Sequence, residues 1–244
     1  MKHIIGTLVF LSLAAASLSA IDAKEVVSRM EDNRGYETAR IEGRMVIEDR
    51  FGERTSTFVM WTRGTEEALV RFTSAQEAGQ RVLRTEDEIY LYYPDAAELI
   101  RLQGSALRQS MLGSDVSYED MTGNRGLLED YDAELLAEEE VRGTPCYVVS
   151  LEARNSDVAY PKQRLWVDTE DFVLRRAEQY ALSGRLLKEM EVREIMRQGD
   201  FAFPSHLVIS DALKKNSQTA FVIEAAELGI EVPRGTFSLE ELSF

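Results

Sequence analysis

The chain has 244 residues, with 28 Lys and Arg against 43 Asp and Glu, for a formal net charge of −15. That balance argues against nucleic acid and against standing contact with anionic lipid head groups, and it permits a basic partner. Hydrophobic residues make up 44% of the chain and are interspersed with the charges, which excludes disorder and lets one domain bury a sizeable core.

Residues 1–20 read as a secretory signal. Lys2 supplies the positive end, Ile4 to Leu13 the apolar stretch, and Ser17 to Ala20 a small-residue end suited to cleavage after Ala20. The apolar stretch falls short of the roughly 20 residues that a membrane span needs. Residues 21–244 are then expected as one exported, periplasmic and soluble domain. The sole cysteine, Cys146, forms no internal disulfide and starts the strand-like run Cys-Tyr-Val-Val, where a buried small apolar residue is expected.

Ile21 to Arg34 reads as a helix, with Asp22 as N-cap, an apolar stripe of Val26, Val27 and Met30, and Gly35 at its end. From Tyr36 the period changes to two, with Ile41, Gly43, Met45 and Ile47 on one face. Thr55 to Thr62, Ala68 to Thr73, Gln80 to Arg84, Glu88 to Tyr93 and Glu98 to Leu102 follow as strands. The turn signals among them are Gly52-Glu53, Arg63-Gly64, Asp87 and Pro94-Asp95.

Next, Leu107, Met111 and Leu112 fall on one short helical face, which Gly113 stops before a dense polar turn from Ser114 to Asp120. Strands then resume at Tyr131 to Glu140, Pro145 to Ala153, Gln163 to Asp168, Val173 to Leu182, Arg185 to Met196, Ala202 to Asp211 and Gln218 to Ala226. Ser238 to Leu242 makes a last helical turn. About a dozen consecutive strands with short turns predict a mainly β (α+β) fold, a single curved antiparallel sheet or barrel. Phe58-Val-Met-Trp61 and Cys146 to Leu151 are apolar at successive positions, so both faces of those strands are expected to be covered. A helix on the concave side and an enclosed apolar cavity each account for that.

Catalytic chemistry finds little support. Beyond the signal only His206 remains as a histidine, and Ser205 beside it points to the opposite face of a strand. No nucleophile elbow, phosphate loop or metal-ligand spacing is present. Asp115, Glu119 and Asp120 cluster, but their spacing fits no cation-binding loop. Asp115 or Ser117 suits an N-cap better, with Asp120 completing a capping box after Ser117. No metal or cofactor is expected. Glu138 to Glu140 read as a solvated turn or edge.

The run Gly113-Ser-Asp-Val-Ser-Tyr-Glu-Asp120 resembles the signature of bacterial outer-membrane lipoprotein-sorting proteins, relatives of the carrier LolA. Valine stands at 116 where phenylalanine is common. Ile89-Tyr-Leu-Tyr-Tyr-Pro94, Arg164-Leu-Trp-Val-Asp168 and Tyr180 to Lys188 resemble the family in its order. The resemblance implies an incomplete LolA/LolB-like β-barrel whose concave apolar face is closed by short helices acting as lid or plug. It also implies a carrier of lipoprotein acyl chains, with no enzymatic activity. The expected lid is Leu107, Met111 and Leu112, and the expected cavity lining is Phe58, Met60, Trp61, Phe72, Leu91, Tyr93, Trp166 and Met190. The signature residues are Gly113, Ser114, Asp115, Ser117, Tyr118, Glu119 and Asp120. Each buried methylene contributes about 0.8 kcal/mol, so acyl chains favour a dry cavity. Expected partners are an inner-membrane transporter and an outer-membrane receiver, with the protein a monomer. On this reading Met111→Asp abolishes acyl binding and leaves the protein folded. The alternative is a non-enzymatic accessory or interaction module of an envelope transporter or assembly complex.

Overall fold

The computed structural model describes residues 21–33, 35–77, 79–85, 88–121, 126–156 and 158–243. The expected signal and the turn at Asp87 lie outside the described residues. Helix α1 (Ala23–Asp32) starts where the Asp22 carboxylate accepts the Glu25 backbone N–H at 2.8 Å, as its N-cap role requires. Val26, Val27 and Met30 form its buried stripe.

Strands β1 (Thr38–Asp49), β2 (Gly52–Arg63), β3 (Glu67–Phe72), β4 (Arg81–Arg84), β5 (Ile89–Tyr93) and β6 (Glu98–Leu102) form a first meander. Two short 3-10 turns and the small helices α2 (Tyr118–Met121) and α3 (Leu127–Asp130) follow. A second meander comprises β7 (Tyr131–Val141), β8 (Thr144–Ala153), β9 (Lys162–Asp168), β10 (Leu174–Tyr180), β11 (Leu186–Gln198), β12 (Phe201–Asp211) and β13 (Gln218–Leu228). Helix α4 (Leu239–Ser243) is the last described element.

Every neighbouring pair is antiparallel, and β13 pairs with β1, so the two meanders merge into one thirteen-stranded sheet that runs from β6 to β7. The sheet does not close, and its edges are β6 and β7. Glu138, Glu139 and Glu140 lie on edge strand β7, where charge discourages pairing with another chain. Gly43 sits at a register shift where β1 meets β13, and a Cβ there would lie 2.5 Å from the Val222 carbonyl oxygen. Only glycine permits that approach.

Cross-strand partners carry one face through the whole sheet. Ile100, Leu91, Val82, Val70, Met60, Ile41 and Ala226 form one row on it. Ile209, Met190, Ala177, Leu165, Val149 and Leu135 form another. This inner face holds two cores. One lies on β1 to β6 beneath the 106–118 segment, and the other lies on β7 to β11 beneath α1 and Leu127. The outer face is covered more sparingly. Leu69 and Leu83 pack with Leu242 of α4, and Cys146, Val148 and Trp166 form a small cluster. Both faces are thus covered, as the successive apolar positions predict.

Cys146 is fully buried, and burial beside Asp168 pushes its thiol up to about 11. Cys146→Ala is expected to cost about 1 kcal/mol in thermal unfolding and to leave ligand binding unaltered. A binding defect at unchanged stability would show that the thiol does more than fill space.

Candidate functional site

The site is the inner face of β1 to β6 and the segment that plugs it. Phe58, Met60, Phe72, Leu91 and Tyr93, expected as cavity lining, and Leu107, Met111 and Leu112, expected as the lid, come together here. Met111 is the centre of the plug, 3% exposed, and Val116 and Tyr118 are buried beside it. Burial places the Tyr118 phenol well above its ordinary range, with Tyr93 adding to the effect. Val70, Val82, Ile89 and Leu102 complete the floor, and sequence reasoning did not single them out. Their only signal was the period-two pattern that every strand shares.

Three expected lining residues lie elsewhere. Trp61 is offset by one residue from Met60, so the pleat turns it to the outer face, where it packs against the Leu69, Leu83 and Leu242 cluster. Trp166 also faces outward and donates its Nε1–H to Glu139 at 2.8 Å. Met190 is on the inner face, but it packs in the second core with α1.

The expected single helix over Leu107 to Leu112 is two 3-10 turns, Gly104–Arg108 and Met111–Gly113, with Gln109 and Ser110 extended between them. The reason is a chain reversal. Leu112 (φ 51°) and Gly113 (φ 73°) are left-handed, and the Met111 N–H donates to the Val116 carbonyl at 2.8 Å. A Cβ on Gly113 would lie 2.8 Å from the Arg54 guanidinium, which instead donates to the Leu112 carbonyl at 2.9 Å. The left-handed leucine costs about 1 to 2 kcal/mol, and Arg54 holds it in place.

The signature turn is a set of polar anchors to the sheet. Asp115 is 2% exposed, and its carboxylate accepts the Ser217 hydroxyl at 2.8 Å, the Thr219 hydroxyl at 2.9 Å and the Asp211 N–H at 3.3 Å. Its own N–H donates to the Thr219 hydroxyl at 2.9 Å. Lys214, in the β12–β13 turn, donates to the Ser110 hydroxyl at 2.9 Å and to the Ser114 carbonyl. Ser114 closes a local turn, accepting the Val116 N–H at 3.1 Å.

Ser117 and Asp120 form the expected capping box. The Ser117 N–H donates to the Asp120 carboxylate at 2.7 Å, and the Asp120 N–H donates back to the Ser117 hydroxyl at 3.3 Å. The same carboxylate accepts Lys188 from β11 and, at 2.5 Å, the Tyr160 hydroxyl. Burial and the Asp120 charge hold the Tyr160 phenol far above its ordinary range. Glu119, part-buried beside these groups, is raised above the ordinary carboxylate range, chiefly by burial. The Asp115 and Asp120 carboxylates are thus occupied by protein donors, and no metal-ligating group of three forms among the described residues. His206 faces the outer side across from Val222, whereas Ser205 is buried on the other side.

Two surface cavities stand out. One of about 420 Å3 opens beside Tyr36, Phe201 and Leu228, where β13 ends and β11 turns into β12. The other, about 360 Å3, lies between Glu77, Tyr93 and Pro94. Neither is lined by Met111 or Phe58.

A family model described as an uncharacterized protein matches residues 64–243, well over half of the chain. The chain belongs to that family. The matched span covers the strands from β3 onward, the plug with its signature and α4. No curated protein matches the sequence. Solved structures extend the likeness to almost the whole described fold. A DUF1329 family protein from Desulfovibrio piger matches with a TM-score of 0.83 and 21% identity, over 90% of this chain and 97% of that one. A domain from Vibrio parahaemolyticus named for outer membrane lipoprotein sorting matches with a TM-score of 0.81 and 17% identity, over 90% and 97%. A LolA superfamily protein from Nitrosomonas europaea gives 0.75 and 23%, over 91% and 100%. The fold described above, an open antiparallel sheet with short helices on its inner face, is therefore similar to that of these solved structures. At these identities the likeness establishes architecture, and function has to be argued from the site.

Proposed function

We propose that the protein is an exported, monomeric lipid carrier of the bacterial periplasm that takes acyl chains, foremost those of lipoproteins, onto the inner face of β1 to β6. The observation that carries the proposal is how the inner face is covered. Its apolar floor meets a short irregular plug, held around Met111 by polar anchors at Ser110, Leu112 and Asp115, where a stable core would use a long amphipathic helix. Such a cover leaves without breaking the sheet, because none of its hydrogen bonds belong to the ladder of β1 to β6. Displacement exposes Phe58, Met60, Phe72 and Leu91. A chain of methylenes then replaces Met111 and Leu107, each buried CH2 contributing about 0.8 kcal/mol. Methionines at 60 and 111 suit flexible cargo, since an unbranched thioether adapts to varied apolar partners. Export and delivery between an inner-membrane transporter and an outer-membrane receiver complete the reading, with no catalytic step.

Native mass spectrometry of protein purified gently from a bacterial periplasm, followed by organic extraction, tests it. A bound diacyl or triacyl species is expected, together with uptake of an added fluorescent fatty acid. A clean apo mass with no uptake would sink the carrier reading. It would favour the alternative, an accessory module of an envelope assembly, which the tight packing of Met111 also suits.

A further inference from the structure

The three most exposed large apolar side chains of the described residues are Phe51 at 80%, Leu182 at 77% and Leu213 at 52%. They occupy three separate hairpin turns, β1–β2, β10–β11 and β12–β13. The register puts all three turns at the same end of the sheet. Glu48 near the end of β1 pairs with Gln218 at the start of β13, and Lys188 near the start of β11 pairs with Asp211 at the end of β12. The hairpins are also neighbours in strand order, from β2 through β1, β13, β12 and β11 to β10. Three apolar tips therefore stand side by side along one rim.

Each tip also carries an exposed cation outside any ion pair: Arg50, Arg185 and Lys215. Arg50 lies 4.6 Å over the Phe51 ring. Glu48 and Glu53 at the base of the β1–β2 hairpin are exposed, whereas the acids next to the apolar tips are engaged. Asp49 accepts the Phe51 N–H at 2.7 Å and pairs with Arg54, and Asp211 accepts the Leu213 N–H at 2.8 Å. Those bonds, with the tight Ala181–Arg185 turn closed at 2.9 Å, hold the tips in shape while their side chains touch no core. A single exposed leucine means nothing, but three in a row on ordered turns, each with its own cation, is a pattern.

We propose that this rim docks on a lipid bilayer, Phe51, Leu182 and Leu213 entering the interface while Arg50, Arg185 and Lys215 meet anionic head groups. Charge complementarity selects the occupant. The chain carries −15 overall, yet this rim presents unpaired cations interleaved with apolar groups, the arrangement that interfacial anchoring uses. The whole-chain repulsion does not prevent contact, because at physiological salt it is screened beyond about 8 Å. Docking is accordingly reversible and salt-sensitive. The β12–β13 turn belongs to both devices, since Lys214, between Leu213 and Lys215, holds the Ser110 and Ser114 end of the plug. Docking therefore acts on the turn that anchors the plug. The proposal stands without any cargo, because the rim lies outside the plugged face.

The test is flotation of residues 21–244 with vesicles of phosphatidylcholine alone and of phosphatidylcholine with about 30% phosphatidylglycerol. Wild type is expected to float with the anionic vesicles and to be released by high salt. A Phe51→Ser, Leu182→Ser, Leu213→Ser variant is expected to bind about tenfold more weakly or worse, with unaltered thermal midpoint. An Arg50→Glu, Arg185→Glu, Lys215→Glu variant is expected to lose the preference for anionic vesicles. Absence of wild-type flotation, or full binding by the serine variant, overturns the proposal. So does a wild-type dimer in solution that the serine variant dissolves, because a second copy would then be what covers the rim. A lipid-free protein that still floats keeps the rim and removes the carrier, so the two readings fail separately.

Discussion

Asp115→Ala is expected to destabilise the protein by about 3 to 4 kcal/mol and to lower its thermal midpoint by roughly 10 °C. The carboxylate is buried and accepts three donors from the β12–β13 hairpin, the Ser217 and Thr219 hydroxyls and the Asp211 N–H. Alanine leaves those donors without their acceptor, and Thr219 is fully buried, so water does not replace the carboxylate there. Asparagine keeps one oxygen but turns an amide N–H2 toward donors, and about half of the loss is expected to remain. Differential scanning calorimetry of both variants, of Thr219→Val and of the Asp115→Ala, Thr219→Val double variant completes a double-mutant cycle, in which a coupling above about 1 kcal/mol is expected for the 115–219 pair. Additive losses would mean that Asp115 does not hold the plug through Thr219. On the carrier reading the same alanine variant takes up a fluorescent fatty acid faster than wild type, because the cover is loosened and the floor is untouched.

The legibility of this protein in its sequence divides by distance along the chain. Alternation in Thr38–Asp49, together with turn signals and short apolar runs among its successors, locates the strands of the described residues, because both are written locally in the sequence. The cap at Asp22 and the box at Ser117 and Asp120 are also legible, each closing within three residues. Composition misleads about faces. Trp61 and Trp166 look like lining residues because they are aromatic, but the pleat, which ignores residue type, sends both outward.

What holds the plug is not legible at all. Asp115 meets Thr219 across 104 positions, Lys214 meets Ser110 across 104, and Lys188 meets Asp120 across 68. These partners are ordinary polar residues in their own strands and turns, and only the pairing of β13 with β1 brings them to the signature. The signature itself is therefore visible as a pattern, while its role as an anchor emerges only from the fold.

That anchoring role changes the result expected for the centre of the plug. If the run were a simple lid, Met111→Asp would abolish acyl binding in a folded protein. Met111 is instead 3% exposed within the core on β1 to β6, so aspartate buries a carboxylate among apolar side chains. The cost is about 4 kcal/mol if the plug stays in place. Departure of the plug breaks the Asp115 and Lys214 anchors but no ladder hydrogen bond of β1 to β6, so the aspartate biases the plug outward while the sheet stays whole. The variant is therefore expected to retain the β signal in circular dichroism, to become cleavable by protease within residues 103–121, and to bind a hydrophobic dye on the uncovered floor. Acyl uptake should then rise. Leu112→Asp is the control, because Leu112 is half-buried with left-handed backbone that aspartate tolerates better than leucine, and its cost should stay below about 1 kcal/mol. Equal behaviour of the two variants would show that the plug has no buried centre.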